Sequence, residues 1–376
     1  MILPILLAAL AVLVTLAYAS VLDVRDRSVP VRVWYPLYVV GSIAVIWYLV
    51  TAPAGAGTVA GYAALIVTVI YGIELEAENG EVPGHVLALA VAATLLQGIA
   101  WGFLWNSLGP VAILGFIALA AALWKGLDLE RRASRAGVEL PPFQQWFRFW
   151  HIPLVIALQG VAWCGLFLAG KGGAGDLLLI LVALYAELFL AFAAMNLFGG
   201  ADAIAFICIA LFVPVFPLEP VLGYPPLRFL PFSALTNAVI LNLVTPLGFF
   251  LWNAMKGNRA PFPYTFFGYP VEGKAIEKSY GFVMEDFHEE GGELRRRFIP
   301  IGEALGRMVK GKGRIYTKHL REHPERFTRE LALYRRAGVV WISYGVPFIL
   351  PILAGFAVAL FGGDLLFAAM SAVAGV

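Results

Sequence analysis

Apolar residues in this chain run in long blocks, and polar residues collect between them. Ten blocks reach or approach the roughly 17–25 residues that a helix needs to cross a bilayer. They lie at about 2–22, 32–51, 55–73, 84–105, 108–125, 150–170, 177–197, 202–217, 230–253 and 338–361, with a short apolar tail at 365–376. Lipid cannot satisfy free backbone groups, so such blocks must be helices. One polar stretch, 254–337, is long enough to fold by itself. Within it, Tyr280–Phe287 and Leu294–Ile299, joined through Gly291-Gly292, read as a β-hairpin. Pro324 can open a helix carrying Phe327, Leu331 and Tyr334 on one face. The expected fold is an all-α polytopic membrane protein of about ten transmembrane helices with a small soluble α+β cytoplasmic domain. Its expected parts are a membrane core at 1–253, the soluble domain at 254–337, and a last helix with a tail at 338–376.

Composition strengthens this reading. The chain is 60% hydrophobic and 14% charged, against about 45–50% and 25% in soluble domains. Cys164 and Cys208 both sit in apolar blocks, too few for a disulfide framework or a thiolate zinc site. No Lys or Arg precedes the first apolar block, as a secretory signal would require, so that block reads as a retained helix with its N-terminus outside. The segments 23–31, 74–83, 126–149 and 254–337 then face the cytoplasm. They collect, in or beside them, Arg25, Arg27, Lys125, Arg131, Arg132, Arg135, Arg148 and the dense basic set from Lys256 to Arg336. Lys171 and Arg228 fall on the other side, so the positive charge is biased inward. The acidic run Glu74-Leu75-Glu76-Ala77-Glu78 does not test the orientation.

Acidic groups in or bordering membrane helices are costly and so are candidates for function. Here they are Asp23, Asp26, Glu187, Asp202 and Asp364. Asp202 follows the break Asn196-Leu197-Phe198-Gly199-Gly200-Ala201 and opens a helix. It can be a plain N-terminal cap, or a reactive carboxylate. Asp23 ends the first helix in an Arg-flanked turn closing on Val29-Pro30, and by itself reads as a loop aspartate paired with arginine. The topology nevertheless puts Asp23 and Asp202 at one membrane face and similar depth. Two close carboxylates share a proton, which suits one to act as base on water and the other as acid.

The combination resembles the archaeal preflagellin and type IV prepilin leader peptidases, membrane aspartic proteases of the GxGD class. The pattern from Asp23 to Pro30 is similar to that family's first aspartate with its short basic turn, and Gly199-Gly200-Ala201-Asp202 is similar to its second motif. The likeness continues through Leu211–Pro214, Pro225-Pro226, Asn237 and the region from the soluble stretch to Phe348. It implies Asp23 and Asp202 as catalytic residues, with Gly199, Gly200, Ala201 and Pro30 in support. It also implies preflagellin- or prepilin-like protein substrates cut at the cytoplasmic face, no cofactor and no metal. Three departures stand out. Ile204 sits where the family often has lysine, extra helices lie at about 84–170, and the paired CxxC motifs of bacterial members are absent.

Asp26 rivals Asp23 but has the wrong spacing to Pro30, and is expected to pair with Arg25 or Arg27. Glu187, in mid-helix, is a possible accessory group that could hydrogen-bond Gln159. His319 and His323 have helical spacing but lack a third ligand. No nucleotide fingerprint is visible, so the expected partners are protein substrates and the lipid bilayer, not nucleic acid. Two alternatives stay open. One is a presenilin-like intramembrane protease, although Leu22 and not tyrosine precedes Asp23. The other is a cation-coupled transporter using the same acidic residues.

Overall fold

The computed structural model describes residues 2–52, 54–77, 82–134, 140–194, 198–291, 293–300, 302–304, 315–344 and 348–374. Arg135, Asn196, Leu197, Gly292 and Glu78 lie outside them. Among the described residues, eight helices are long and apolar enough to cross a membrane, or nine if a bent pair counts as one span. They comprise α1 (Ile2–Asp26), α2 (Tyr35–Thr51, entered through a 3₁₀ turn Val31–Trp34), α3 (Ala56–Ala77), α4 (Gly84–Leu108), α5 (Pro110–Ala133), α6 (Pro142–Leu168) and α7 (Ala174–Ala194). The eighth is the broken run of α9 (Leu230–Asn242) and α10 (Val244–Lys256). The chain is a multi-pass membrane protein.

Two of the ten expected spans are corrected. The block at 202–217 gives only α8, Gly200–Phe212, of 13 residues. Pro214 disfavours a helical conformation for the residue before it, and Val213 has left the helix at φ −132°, ψ 61°. The block at 338–361 divides. Gly338, at φ +74°, ends one helix, Val339–Tyr344 form strand β5, and only Ile349–Phe361 (α14) is helical. The tail forms α15 (Leu365–Ala374), bent by 55° from α14.

The chain resolves into two compact units, Met1–Ala238 with Ile349–Val376, and Val239–Phe348. In the first, α1 shows why these helices pack as they do. Ile5, Ala8, Val12, Leu16 and Ala19 are buried at helical spacing, while Leu3, Leu7, Leu10 and Val14 point outward. Helix α8 is the inner element, with nine of its 13 residues buried. It packs on α1, α2, α7 and α14. Gly41 lets α2 close on it, since a Cβ there would come within 2.5 Å of the Phe212 ring. The Tyr62 hydroxyl on α3 donates to the Leu211 carbonyl at 2.9 Å.

Helices α4 to α6 form the added layer. Gln97 and Gln159, both fully buried, join it to α3. Gln97 Nε2 donates to Gln159 Oε1 (2.8 Å) and Thr68 Oγ1 (3.2 Å), and Gln159 Nε2 donates to the Gly61 carbonyl (2.7 Å). Such bonds hold membrane helices together because lipid offers no alternative partner. Arg148 on α6 grips Glu130 on α5 with two bonds of 2.5 and 2.7 Å.

The second unit contains α10, a short helix α11 (Tyr264–Phe267), β1 (Gly268–Glu272), β2 (Gly281–Val283), β3 (Glu285–Glu290), β4 (Glu293–Phe298), α12 (Thr317–Glu322), α13 (Thr328–Ala337) and β5. The three-stranded sheet has order β1–β5–β2, all antiparallel. The expected hairpin exists as β3–β4, with Glu290 opposite Glu293, but its first strand starts at Glu285 because 281–283 pair with β5 instead. Leu331 and Tyr334 of α13 enter the core with Ile276, Val283, Leu320, Val340 and Ile342, and Phe327 packs against it. Glu285 is buried, and its Oε2 accepts the Trp341 N–H at 2.8 Å. Burial pushes its carboxyl pKa up, and that N–H and Arg296 pull it partly back.

Candidate active site

Asp23 continues the inward stripe of α1, following Leu16, Ala19 and Ser20 at helical spacing. It therefore faces the neighbouring helices and not the outer surface. Its helix ends at Arg27, whose left-handed φ of 53° turns the chain. Pro30, extended at φ −62°, ψ 144°, leads into the 3₁₀ turn before α2. The sequence thus folds back directly after Asp23, and α2 returns along α1.

Asp202 is the third residue of α8. Gly199 is extended at φ −63°, ψ 145°, and the Asp202 carboxylate turns back toward it. The first turn of a helix favours a carboxylate, because its N–H groups are unsatisfied there. That placement is compatible with chemistry at the same carboxylate. Gly199 has a steric reason as well, because a Cβ there would lie 2.8 Å from Asp202 Oδ2. Gly200 has none, since a Cβ there would meet nothing within 4 Å. Ala201 is half-buried between Gly200 and Asp202. Phe198 fixes the lead-in by packing its ring 5.5 Å from Phe189 and 5.8 Å from Phe192.

Helices α1 and α8 pack on each other, and the Asp23 and Asp202 carboxylates, one on each, lie within electrostatic reach. Asp23 lies near the Arg27 charge, and its Oδ2 is buried with no partner. Beside this helix end, a cavity of about 350 Å³ opens among Tyr18, Leu22, Asp26, Pro30 and Val33.

The other sequence candidates separate from the pair. Asp26 is held by Arg25 at 2.7–3.0 Å on an exposed surface. Glu187 is half-buried in α7 with Oε2 unpartnered. Its expected partner Gln159 is committed to Gln97 and Gly61. Asp364 accepts from Ser233 (2.8 Å) and from the Phe367 N–H (2.9 Å), capping α15. His323 sits 3.6 Å from Glu325, and among the described residues no group of three His, Cys, Asp or Glu could hold a metal ion. Ile204 is half-buried on α8.

Sequence reasoning missed Glu74. It is 3% exposed, accepts from the Tyr35 hydroxyl at 2.8 Å, and lies 3.5 Å from His85 Nε2. Its only signal was membership of an acidic run, which does not tell which member turns inward.

Residues 260–365 match the family model described as archaeal peptidase A24 C-terminus type II. Searches of curated proteins and of solved structures return no match. This match over the C-terminal region, with the apolar helices, supports a membrane peptidase of the prepilin-peptidase type.

Proposed function

We propose that the protein is an aspartic endopeptidase that removes leader peptides from preflagellin- or prepilin-like proteins at the cytoplasmic membrane face. The observation that supports it is the meeting of Asp23 and Asp202, carboxylates from two helix ends far apart in the sequence. In this reading a water lies between them. The ionised carboxylate takes its proton as the oxygen attacks the scissile carbonyl, while the protonated partner donates to the carbonyl oxygen. The tetrahedral intermediate then collapses, and the amine leaves with the proton held by the first carboxylate. The pair titrates as a unit.

Basic residues at the α5 and α6 ends, Arg131, Arg132 and Arg148, support a cytoplasmic position for this face by the positive-inside bias. A cleavage site at one face suits removal of a segment that precedes a membrane helix. The test is cleavage of a preflagellin-like substrate in membranes. Asp23→Asn and Asp202→Asn should each lower the rate about 100-fold or more while the protein stays folded. Wild-type cleavage by either variant would exclude the assignment.

A further inference from the structure

The membrane face opposite the aspartates holds another cavity. Helix α2 begins beside the Asp23 turn and α8 begins at Asp202, so their far ends reach the other side. There a space of about 470 Å³ opens, walled by Leu49, Leu178, Leu181 and Phe229, with Tyr48 and Arg228 also lining it. All of these residues belong to the first unit. We propose that this cavity binds an anionic phospholipid of that leaflet, with its phosphate on Arg228 and an acyl chain against the apolar wall. The site is separate from the aspartate pair and does not depend on the role of those residues.

Three features carry the argument. First, Arg228 pairs with no carboxylate among the described residues, and it stands on the face to which the positive-inside bias gives few cations. Its guanidinium lies 4.8 Å from the centre of the Tyr224 ring, which Phe216 meets edge-on at 5.8 Å. The charge is held in place without being neutralised. Second, the backbone at Arg228 is left-handed, at φ +48°. Its N–H closes a turn on the Pro225 carbonyl at 3.0 Å, and the next residue, Phe229, pairs with Val215. Glycine or asparagine makes such a turn at less cost, so the arginine serves through its side chain. Third, the lining suits an amphiphile better than a free anion. Apolar walls with a few polar groups, in a space between about 300 and 1,000 Å³, are the usual form of a small-molecule site. Asp176 also lines the cavity, but its charge is already met. It accepts from Thr58 Oγ1 and from the Gly173 N–H, at 2.7 Å each, in the first turn of α7, where the helix dipole favours an anion. A basic group beside apolar walls between membrane helices is a setting that holds phospholipid head groups.

The test uses the full-length protein in a neutral detergent, titrated separately with phosphatidylglycerol, phosphatidylcholine and inorganic phosphate. Bound lipid is counted by native mass spectrometry, and the thermal midpoint is followed in parallel. Phosphatidylglycerol should fill one site at least about 10-fold more tightly than phosphatidylcholine and raise the midpoint to a plateau. Inorganic phosphate alone should leave the midpoint unmoved. Arg228→Gly removes the guanidinium and suits the left-handed turn, so its lipid-free midpoint should hold or rise. Its affinity for phosphatidylglycerol should fall about 10- to 100-fold, as expected for the loss of charge-assisted hydrogen bonds. Unchanged affinity in Arg228→Gly overturns the proposal, and so does equal binding of the two lipids. An equal rise in midpoint with inorganic phosphate would make this a site for a free anion and would overturn the lipid assignment. If Arg228→Gly does not fold, Arg228→Asn, which also tolerates this turn, takes its place with the same outcomes.

Discussion

The two adjacent glycines before Asp202 should differ in what they tolerate, and the difference isolates the carboxylate's position from the stability of the fold. In Gly199→Ala the new methyl would begin 2.8 Å from Asp202 Oδ2. Comfortable non-bonded contact starts near about 3.5 Å, so the carboxylate must retreat by roughly 0.5–0.7 Å. That retreat shifts it from its place in the first turn of α8. A misplacement near 1 Å can cost about 100-fold in rate, so kcat is expected to fall about 10- to 100-fold. The backbone does not resist, because φ −63°, ψ 145° is open to alanine. Reduced freedom of the unfolded chain even favours the variant by about 0.4–1 kcal/mol. Gly200→Ala meets no atom within 4 Å, starts a helix, and should keep its activity. Leader cleavage in membranes, with thermal unfolding of each purified variant, decides the matter. Wild-type kcat in Gly199→Ala, or equal damage from Gly200→Ala, would refute the steric argument.

Three further outcomes are expected. A raised Glu285 pKa in the folded chain means that its contribution to stability is full below the unfolded value and is lost as pH rises through the folded value. Glu285→Gln should therefore flatten the pH dependence of hydrogen exchange in β2 and β5 and be no less stable at neutral pH; an unchanged slope contradicts this. Gly126→Ala places a methyl inside the His151 ring, and the overpacking should cost about 1–3 kcal/mol, seen as a lower thermal midpoint; an unshifted midpoint would show that α5 and α6 part freely. Gln159→Leu leaves the Gly61 carbonyl and Gln97 short of a partner and should destabilise by about 1–2 kcal/mol in thermal unfolding. A change of a few tenths would mean that the buried bonds are dispensable.

Most of the membrane core was legible because length and apolarity leave a bilayer segment little choice but to be helical. Asp23 and Asp202 could be linked because topology alone carried both to one face. The misread elements share a cause. Val339-Val340-Trp341-Ile342 is a short apolar run, which periodicity cannot assign to helix or strand. Its partners β1 and β2 decide it, and they lie far away in sequence. The length of α8 turned on one proline, whose effect on Val213 was readable but was outweighed by the apolar block around it. Glu74 was hidden because only packing distinguishes an inward acid from its neighbours.

The amide bridge of the added layer also sets an order of assembly. Gln97 can meet Thr68 as soon as α4 stands beside α3, whereas Gln159 follows 62 residues later, a delay of roughly 3–12 s at about 5–20 residues per second. One amide hydrogen bond therefore joins α3 and α4 before α6 arrives to complete the set.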